Sequence, residues 1–225
     1  MITFDKVTKK FGKLAAVDAI DFAVSPKEFV FLVGRSGCGK TTLFKLLNRE
    51  IFPTTGDIIF QEKKVSLIPN KKIWHHRRKL GLIFQDMKLL ADRTVFENIA
   101  LSLEFRGEKK SEIEKKVNEV LNLVGLGDKK HLFPKELSGG EIQRTSIGRA
   151  IIGNPDVILA DEPTADLDAA TAWEIIQLLQ MLNRAGKIVL MATHNIDVVN
   201  SLKERVILLE KGRVVKDTKG EKVKI

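Results

Sequence analysis

Eight consecutive residues near the start of the chain have the types and spacing needed to hold a phosphate group. They match the pattern G-x-x-x-x-G-K-[S/T] and read Gly34, Arg35, Ser36, Gly37, Cys38, Gly39, Lys40 and Thr41, followed by Thr42. The glycines let backbone N–H groups curl around phosphate oxygens at a helix N-terminus, where the helix dipole also favours an anion. The pattern predicts that Lys40 reaches the β- and γ-phosphates of a nucleotide and that the Thr41 hydroxyl binds Mg²⁺. A chance glycine-rich turn is the alternative, and eight matching positions argue against it.

Two adjacent carboxylates, Asp161 and Glu162, end a later apolar run at 157–160. Holding them at the end of a sheet is costly without a cation or a polar partner, and Mg²⁺ is the natural partner. Because consecutive strand residues point in different directions, we expect Asp161 to face the metal and Glu162 to face a water aligned on the γ-phosphate. The pair is a weak signal alone, but together with the phosphate loop it indicates hydrolysis.

Two more polar residues follow apolar runs. Gln85 comes after residues 82–84, and His194 follows the run 188–192. Ligands of open α/β sheets gather at the carboxyl ends of the strands. Either residue alone is more often a structural polar group than a catalytic one. In the company of the two motifs above, a catalytic role is the better interpretation for both.

A second helix start rich in small residues lies at 137–141. Ser138, Gly139 and Gly140 precede a helical pattern, so their hydroxyl and amide groups would form another site for an anion. A single chain with one phosphate loop has no evident use for a second anion-binding site. The residues alone therefore predict a P-loop nucleotide hydrolase with an unexplained second phosphate site.

The elements that must position these residues alternate between strand and helix. Apolar alternation before and after Gly12 predicts an antiparallel hairpin. The continuous apolar runs 29–33, 157–160 and 188–192 are typical of parallel strands buried on both faces. Helical periodicity follows residue 40 and fills the stretch between the last two runs, which predicts a parallel α/β sheet with crossover helices.

The middle of the chain, from about 86 to 145, carries helix signals and no strong strand pattern. Ser111 to Glu114 matches a capping box, and Gly125 would end the helix that it starts. Apolar runs at 206–209 and 214–215 predict a closing hairpin, and we expect the lysine-rich tail after Asp217 to be frayed.

Composition is that of an ordinary globular protein. The chain has 225 residues, 44% hydrophobic and 30% charged, with a net charge of +9 and one cysteine. It has neither an apolar window of membrane-spanning length nor a signal-peptide pattern, so we expect it to stay in the cytoplasm. The densest basic run, 71–79, is either a solvated face or a segment near lipid headgroups.

Over essentially its whole length the sequence resembles the nucleotide-binding domains of ATP-binding-cassette proteins. This resemblance implies that the chain binds ATP and Mg²⁺ and hydrolyses ATP. It also implies the following roles: Walker A loop for 34–41, Q-loop glutamine and metal ligand for Gln85, signature for 137–141, Walker B pair for Asp161 and Glu162, D-loop ending at the nucleotide-binding Asp168 for 163–168, and switch histidine for His194. Phe11 stands where the family usually has a tyrosine stacked on adenine, and its ring can still stack.

The resemblance also explains the spare phosphate site. It implies that two copies close head to tail on binding ATP, so that Ser138, Gly139 and Gly140 of one cover the γ-phosphate held by the Lys40 loop of the other. The implied fold is a P-loop α/β core with a parallel sheet, an N-terminal antiparallel β subdomain and a helical signature subdomain. Residues 1–225 would form one domain, with 1–85 and 146–225 as the core and 86–145 as the helical part.

Three segments, 82–95, 160–168 and 190–195, are most similar to the bacterial cell-division ATPases of this family. That similarity implies an integral membrane partner of the FtsX type and a place on the inner face of the cell membrane. ATPases of lipoprotein release and macrolide export share much of the sequence of these segments, and they remain the alternative. We expect Met87, Leu89 and Leu90 to line a groove that receives a short helix of the membrane subunit, although leucines more often belong to a core.

Two other classes of protein fit less well. Soluble nucleic-acid ATPases of the same family usually carry two cassettes or a long coiled-coil insertion, and residues 42–136 hold no such insertion. We therefore expect no nucleic-acid partner. A P-loop kinase or small GTPase would leave 137–141 unexplained, and the chain has no N-K-x-D segment for reading guanine.

Overall fold

The computed structural model describes residues 1–222, which form two β-sheets with helices packed on and between them. The strands are β1 (Ile2–Phe11), β2 (Leu14–Val24), β3 (Phe29–Val33), β4 (Thr55–Phe60), β5 (Lys63–Lys64), β6 (Leu80–Ile83), β7 (Val157–Asp161), β8 (Ile188–Thr193), β9 (Arg205–Glu210) and β10 (Arg213–Lys219). The helices are α1 (Lys40–Leu47), α2 (Ile73–Arg77), α3 (Val95–Glu104), α4 (Lys110–Leu123), α5 (Gly139–Ile151), α6 (Ala169–Arg184) and α7 (Ile196–Ser201).

The larger sheet has six strands in the order β10-β9-β3-β8-β7-β6. All neighbouring pairs are parallel except the edge pair β9–β10, which is antiparallel. The predicted parallel sheet and closing hairpin are therefore confirmed. The expectation of a frayed tail after Asp217 is wrong for Thr218 and Lys219, because they pair with Val206 and Arg205 of β9. Residues 223–225 of that tail lie outside the described part of the chain.

The smaller sheet is antiparallel, with the order β2-β1-β4-β5. Its hairpin β1–β2 was predicted, but an irregularity within β1 was not. The register shifts between Phe4 and Val7, where Lys6 has a positive φ of 47°. Strands β4 and β5 were not predicted from the sequence.

Strand β3 shows why a continuous apolar run belongs at the centre of this fold. Phe29, Phe31 and Val33 point into a core shared with α3, α4, α5 and α6. Val30 and Leu32 point to the opposite side, into a core between the two sheets that also contains α1. Both faces of β3 are buried, which explains why all five of its residues are apolar.

The helical segment is present, and its helices begin at places other than Ser111. Helix α4 starts at Lys110 with Lys109 as N-cap, and no side chain caps it, so Ser111 lies inside the first turn. The helix buries Ile113, Val117 and Leu121 in the core. Gly125 lies just beyond the end of the helix with a φ of 70°, as expected of a terminating glycine.

Reciprocal capping boxes lie elsewhere, at Thr94 with Glu97 before α3 and at Ser138 with Glu141 before α5. The division of the chain at residue 145 stays a prediction, and α5 runs through that position. Within the described residues, no helix combines the length and apolar character needed to cross a membrane.

Candidate active site

The loop between β3 and α1 is shaped to leave backbone donors free. Gly39 is the N-cap of α1 with a φ of 112°, and no side chain caps the helix. A Cβ on Gly39 would lie 2.7 Å from both the carbonyl oxygen of Ala16 and Cγ1 of Val17, so only glycine fits. The first N–H groups of α1 are thus available to an anion.

Lys40 is buried beneath this loop and reaches back across it. Its Nζ donates to the carbonyl oxygen of Gly34 at 2.7 Å and lies 3.5 Å from that of Arg35. The same Nζ is 3.6 Å from Oε1 of Glu162. The ammonium group therefore sits between the loop and the carboxylate that follows β7, where incoming phosphate oxygens would compete for it.

Asp161 and Thr41 meet although 120 positions separate them in the sequence. The Thr41 hydroxyl donates to Oδ2 of Asp161 at 2.7 Å. Burial raises the pKa of the Asp161 carboxyl, and the nearby charge of Glu162 adds to the effect. A partly desolvated carboxylate beside a hydroxyl fits a hard cation that takes oxygen ligands. Within residues 1–222, no three His, Cys, Asp or Glu side chains are arranged so that they could hold a metal ion, so any ion here needs other oxygens as well.

Glu162 lies between Lys40 and His194. Its Oε2 is 3.0 Å from Nδ1 of His194 and accepts the His194 backbone N–H at 3.3 Å. The side chain is 11% exposed, whereas that of His194 is 67% exposed. Strand alternation does not orient Glu162, because β7 ends at Asp161 and Glu162 has a φ of 48°. This left-handed turn redirects its carboxylate, and the Glu162 N–H donates to the carbonyl oxygen of Ala192 at 2.9 Å.

One cleft of about 540 Å³ collects most of the residues predicted for the site. It is lined by Arg35, Ser36, Gly37, Gly39, Lys40, Thr41, Thr42, Gln85, Asp161, Glu162, His194 and Ile196. Cys38 is instead buried and packs into the core between the sheets. Gln85 is exposed at the end of β6, facing the cleft from the strand neighbouring β7.

Ser138, Gly139 and Gly140 do not line this cleft. Ser138 is the exposed N-cap of α5, and its hydroxyl accepts the N–H of Glu141 at 3.4 Å. In return the Ser138 N–H donates to Glu141, which lowers the pKa of that carboxyl. Gly140 is pressed against α6, since a Cβ on it would lie 2.5 Å from Cγ2 of Thr171.

Two other predicted nucleotide-binding residues also stand apart from the cleft. Asp168 is the N-cap of α6, and a hydrogen bond from the Thr171 hydroxyl, 2.6 Å long, lowers the pKa of its carboxyl. Phe11 ends β1 with 52% of its surface exposed, and Nζ of Lys9 lies over its ring at 5.1 Å from the centroid. Roles for both in nucleotide binding stay predictions.

Sequence reasoning missed two residues that hold the segment after Gln85. Asn98 is fully buried, and its amide donates to the carbonyl oxygens of Leu90, Arg93 and Thr94, each at 3.0 Å. Arg149 of α5 donates to backbone carbonyls of the same segment. Only the pattern Thr94-x-x-Glu97, a capping box just before Asn98, offered a signal for either of them.

A phosphate-binding loop, a partly buried carboxylate with a hydroxyl partner, and a second carboxylate between a lysine and a histidine define a P-loop nucleotide hydrolase. The family model described as "ABC transporter" matches residues 17–165. The chain belongs to the ATP-binding-cassette transporter family and is one of its ATPases.

Relatives of known function and solved structures support this family assignment. The cell division ATP-binding protein FtsE of Bacillus subtilis (strain 168) is 48% identical over 223 residues, covering 98% of each chain. FtsE of Escherichia coli (strain K12) is 41% identical, covering 95% of this chain and 97% of that one. The ATP-binding cassette MJ0796, solved as a dimer in a post-hydrolysis state with ADP and Pi, superposes with a TM-score of 0.89 at 34% identity, covering 98% of this chain and 99% of that one.

Proposed function

We propose that the chain is the ATPase subunit of a bacterial cell-division complex, working as an ATP-dependent homodimer on an integral membrane subunit of the FtsX type. The full-length similarity to FtsE proteins supports the division role. Lipoprotein release or macrolide export is the alternative role. The membrane subunit would bring the chain to the inner face of the membrane, and no nucleic acid is expected as a partner.

The observation that carries the ATPase mechanism is the position of Glu162. Its carboxylate lies 3.6 Å from the phosphate-loop lysine, Lys40, and 3.0 Å from His194. In our proposal Lys40 turns to the γ-phosphate when ATP binds, which leaves Glu162 free to accept a proton from the attacking water. His194 holds Glu162 from the side exposed to solvent.

We propose that Thr41, Asp161 and Gln85 hold Mg²⁺. The 2.7 Å hydrogen bond between Thr41 and Asp161, and the presence of Gln85 in the same cleft, support this assignment. Bound there, the ion would neutralise charge on the transferred phosphoryl group. Gln85 then acts as the residue that senses the ion and the γ-phosphate at the end of β6.

Replacing Glu162 with Gln tests the mechanism. Glu162→Gln should bind ATP with an affinity within about 3-fold of wild type while turnover falls by about 100-fold or more, because it removes only the proton acceptor. ATP affinity and phosphate release are the measurements. Glu114→Gln, an exposed change on α4, is the matched control. A Glu162→Gln protein that hydrolyses ATP at the wild-type rate would refute the assignment.

A cleft of about 670 Å³ lies between α2, β6, α3 and α5, and we propose that it receives the membrane subunit. Met87, Leu89 and Leu90, which we expected to line the docking groove, do not line this cleft. Apolar surface comes instead from Trp74, Phe84, Leu101 and Phe105. The segment after Gln85 takes part through Lys88.

Phe105 offers a clean test of docking because 81% of its surface is exposed. Phe105→Asp should leave folding and ATP binding unchanged and should abolish co-purification with the membrane subunit, since an apolar anchor is lost. Leu67→Asp is the matched control, because Leu67 is 74% exposed outside this cleft. Normal co-purification of Phe105→Asp would contradict the docking site.

A further inference from the structure

Two consecutive residues after Gln85 adopt a backbone conformation that residues with side chains rarely take. Met87 has a φ of 53° and Lys88 a φ of 46°. Left-handed conformations are unfavourable for both residue types, and two in succession add their costs. Some other part of the molecule must therefore hold this turn in place.

Arg149 supplies that restraint from a different element. Its guanidinium donates to the carbonyl oxygen of Met87 at 2.7 Å and to that of Lys88 at 2.6 Å. Among residues 1–222, no carboxylate forms a salt bridge with this guanidinium. The partly buried guanidinium donates two of its N–H groups to adjacent backbone carbonyls, which its planar fork geometry allows. It therefore restrains the backbone of this turn.

Helix α5 connects this restraint to the second phosphate-binding segment. The helix begins after Ser138 and carries Arg149 in its last turn. Ser146 of the same helix also approaches the Met87 carbonyl oxygen, at 3.5 Å. A rigid helix therefore joins the Ser138 segment to the turn that directly follows Gln85.

We propose that Arg149 is a positioning residue for ATP hydrolysis: it clamps the left-handed turn at Met87 and Lys88, and thereby sets Gln85 in the nucleotide cleft. The proposal rests on the function assigned above to Gln85. Through α5, the same clamp makes the position of Gln85 depend on the position of the Ser138 segment. An ammonium group cannot replace the guanidinium, because it lacks the planar fork that matches two adjacent carbonyls.

Restoring the turn by other means is the decisive test. Arg149→Met should lower kcat by about 10-fold and leave KM for ATP within about 2-fold, because the phosphate loop is untouched. Adding Met87→Gly and Lys88→Gly should bring kcat back to within about 3-fold of wild type, because glycine adopts positive φ without help. Glu62→Gly with Lys211→Gly, two left-handed residues elsewhere, is the matched control and should restore nothing.

A double-mutant cycle separates positioning from a general effect on the fold. In a Gln85→Ala background, Arg149→Met should change kcat by less than about 2-fold, since the clamp acts through Gln85. If Arg149→Met fails to fold, the glycine pair at 87 and 88 should restore its thermal transition, and the control pair should not.

Three results would overturn the proposal: wild-type kcat in Arg149→Met, equal recovery with the control glycines, or additive losses in the cycle. If one of these results is obtained while Glu162→Gln still loses activity, the proposed role of Arg149 is wrong but the proposed ATPase mechanism stands. A wild-type rate in Glu162→Gln would instead overturn that mechanism.

Discussion

Glu162 shows how one backbone angle decides what a carboxylate can do. A strand residue in its place would have continued the alternation of β7, directly after Asp161. The φ of 48° instead turns Glu162 toward His194 and Lys40. The neighbouring strand β8 holds this turn through the carbonyl oxygen of Ala192. The two adjacent carboxylates thus acquire different surroundings, one beside Thr41 and the other beside Lys40.

At the same scale, His76 should make stability depend on pH. It is buried on α2 with Nε2 2.7 Å from the Leu47 carbonyl oxygen, and burial lowers its pKa below the ordinary 6.5. Above pH 6.5 the imidazole is neutral in both the folded and unfolded chains, so its contribution to stability is full. As the pH falls below 6.5, the unfolded chain binds the proton first and the free energy of unfolding decreases.

The expected slope is up to about 1.4 kcal/mol per pH unit from this one group. Urea unfolding between pH 7.5 and about pH 5.5 should show it, above the range where carboxylates titrate. His76→Gln should flatten the curve, whereas His131→Gln, an exposed change, should leave it unchanged. Identical slopes for His76→Gln and wild type would disprove the assignment.

At the scale of elements, the sequence predicted what local pattern encodes and missed what depends on distant partners. The phosphate loop, the strands β3, β7 and β8, and the parallel sheet all follow from runs of adjacent residues. The restraint by Arg149 does not, because its partners are carbonyl groups some 60 positions away, at Met87 and Lys88. The capping box predicted at Ser111 is wrong because α4 begins at Lys110, which places Ser111 within the first turn rather than at the N-cap.

The contact between α5 and α6 should be sensitive to a single methyl group. Gly140→Ala should lower the free energy of unfolding by about 1–3 kcal/mol, because its Cβ would overlap Cγ2 of Thr171. Adding Thr171→Ser should recover the lost free energy of unfolding, since it removes the methyl group and keeps the hydroxyl that is bonded to Asp168. Gly139→Ala is the control, because its Cβ would make only ordinary contact with Leu167. Equal losses at Gly139 and Gly140 would contradict this packing.

At the scale of the whole molecule, the proposed homodimer requires the Ser138 segment of one copy to complete the nucleotide cleft of the other. The nucleotide cleft is lined without Ser138, Gly139 or Gly140, which is what a site completed by a second copy requires. The solved MJ0796 cassette, similar over 98% of this chain, is a dimer.

Ser138→Asp tests this arrangement in the Glu162→Gln background. Aspartate is as good an N-cap as serine, so α5 should be retained, while its charge would repel the γ-phosphate of the other copy. We expect an ATP-dependent dimer for Glu162→Gln alone and a monomer that still binds ATP for the double variant. Light scattering with and without ATP measures both. Ser111→Asp on α4 is the control, and a stable dimer of the double variant would refute the composite site.

The order of strands also determines when β3 can find its neighbouring strands during translation. Strand β3 ends at Val33, yet its two neighbours, β8 and β9, occupy positions 188–193 and 205–210. A nascent chain emerging from the ribosome therefore exposes one of its most apolar segments through most of translation, with neither neighbouring strand available. Ribosome stalling before β8 would leave that segment as a free template for aggregation. Chaperone dependence during synthesis should consequently be set by the time needed to translate the interval from β3 to β9.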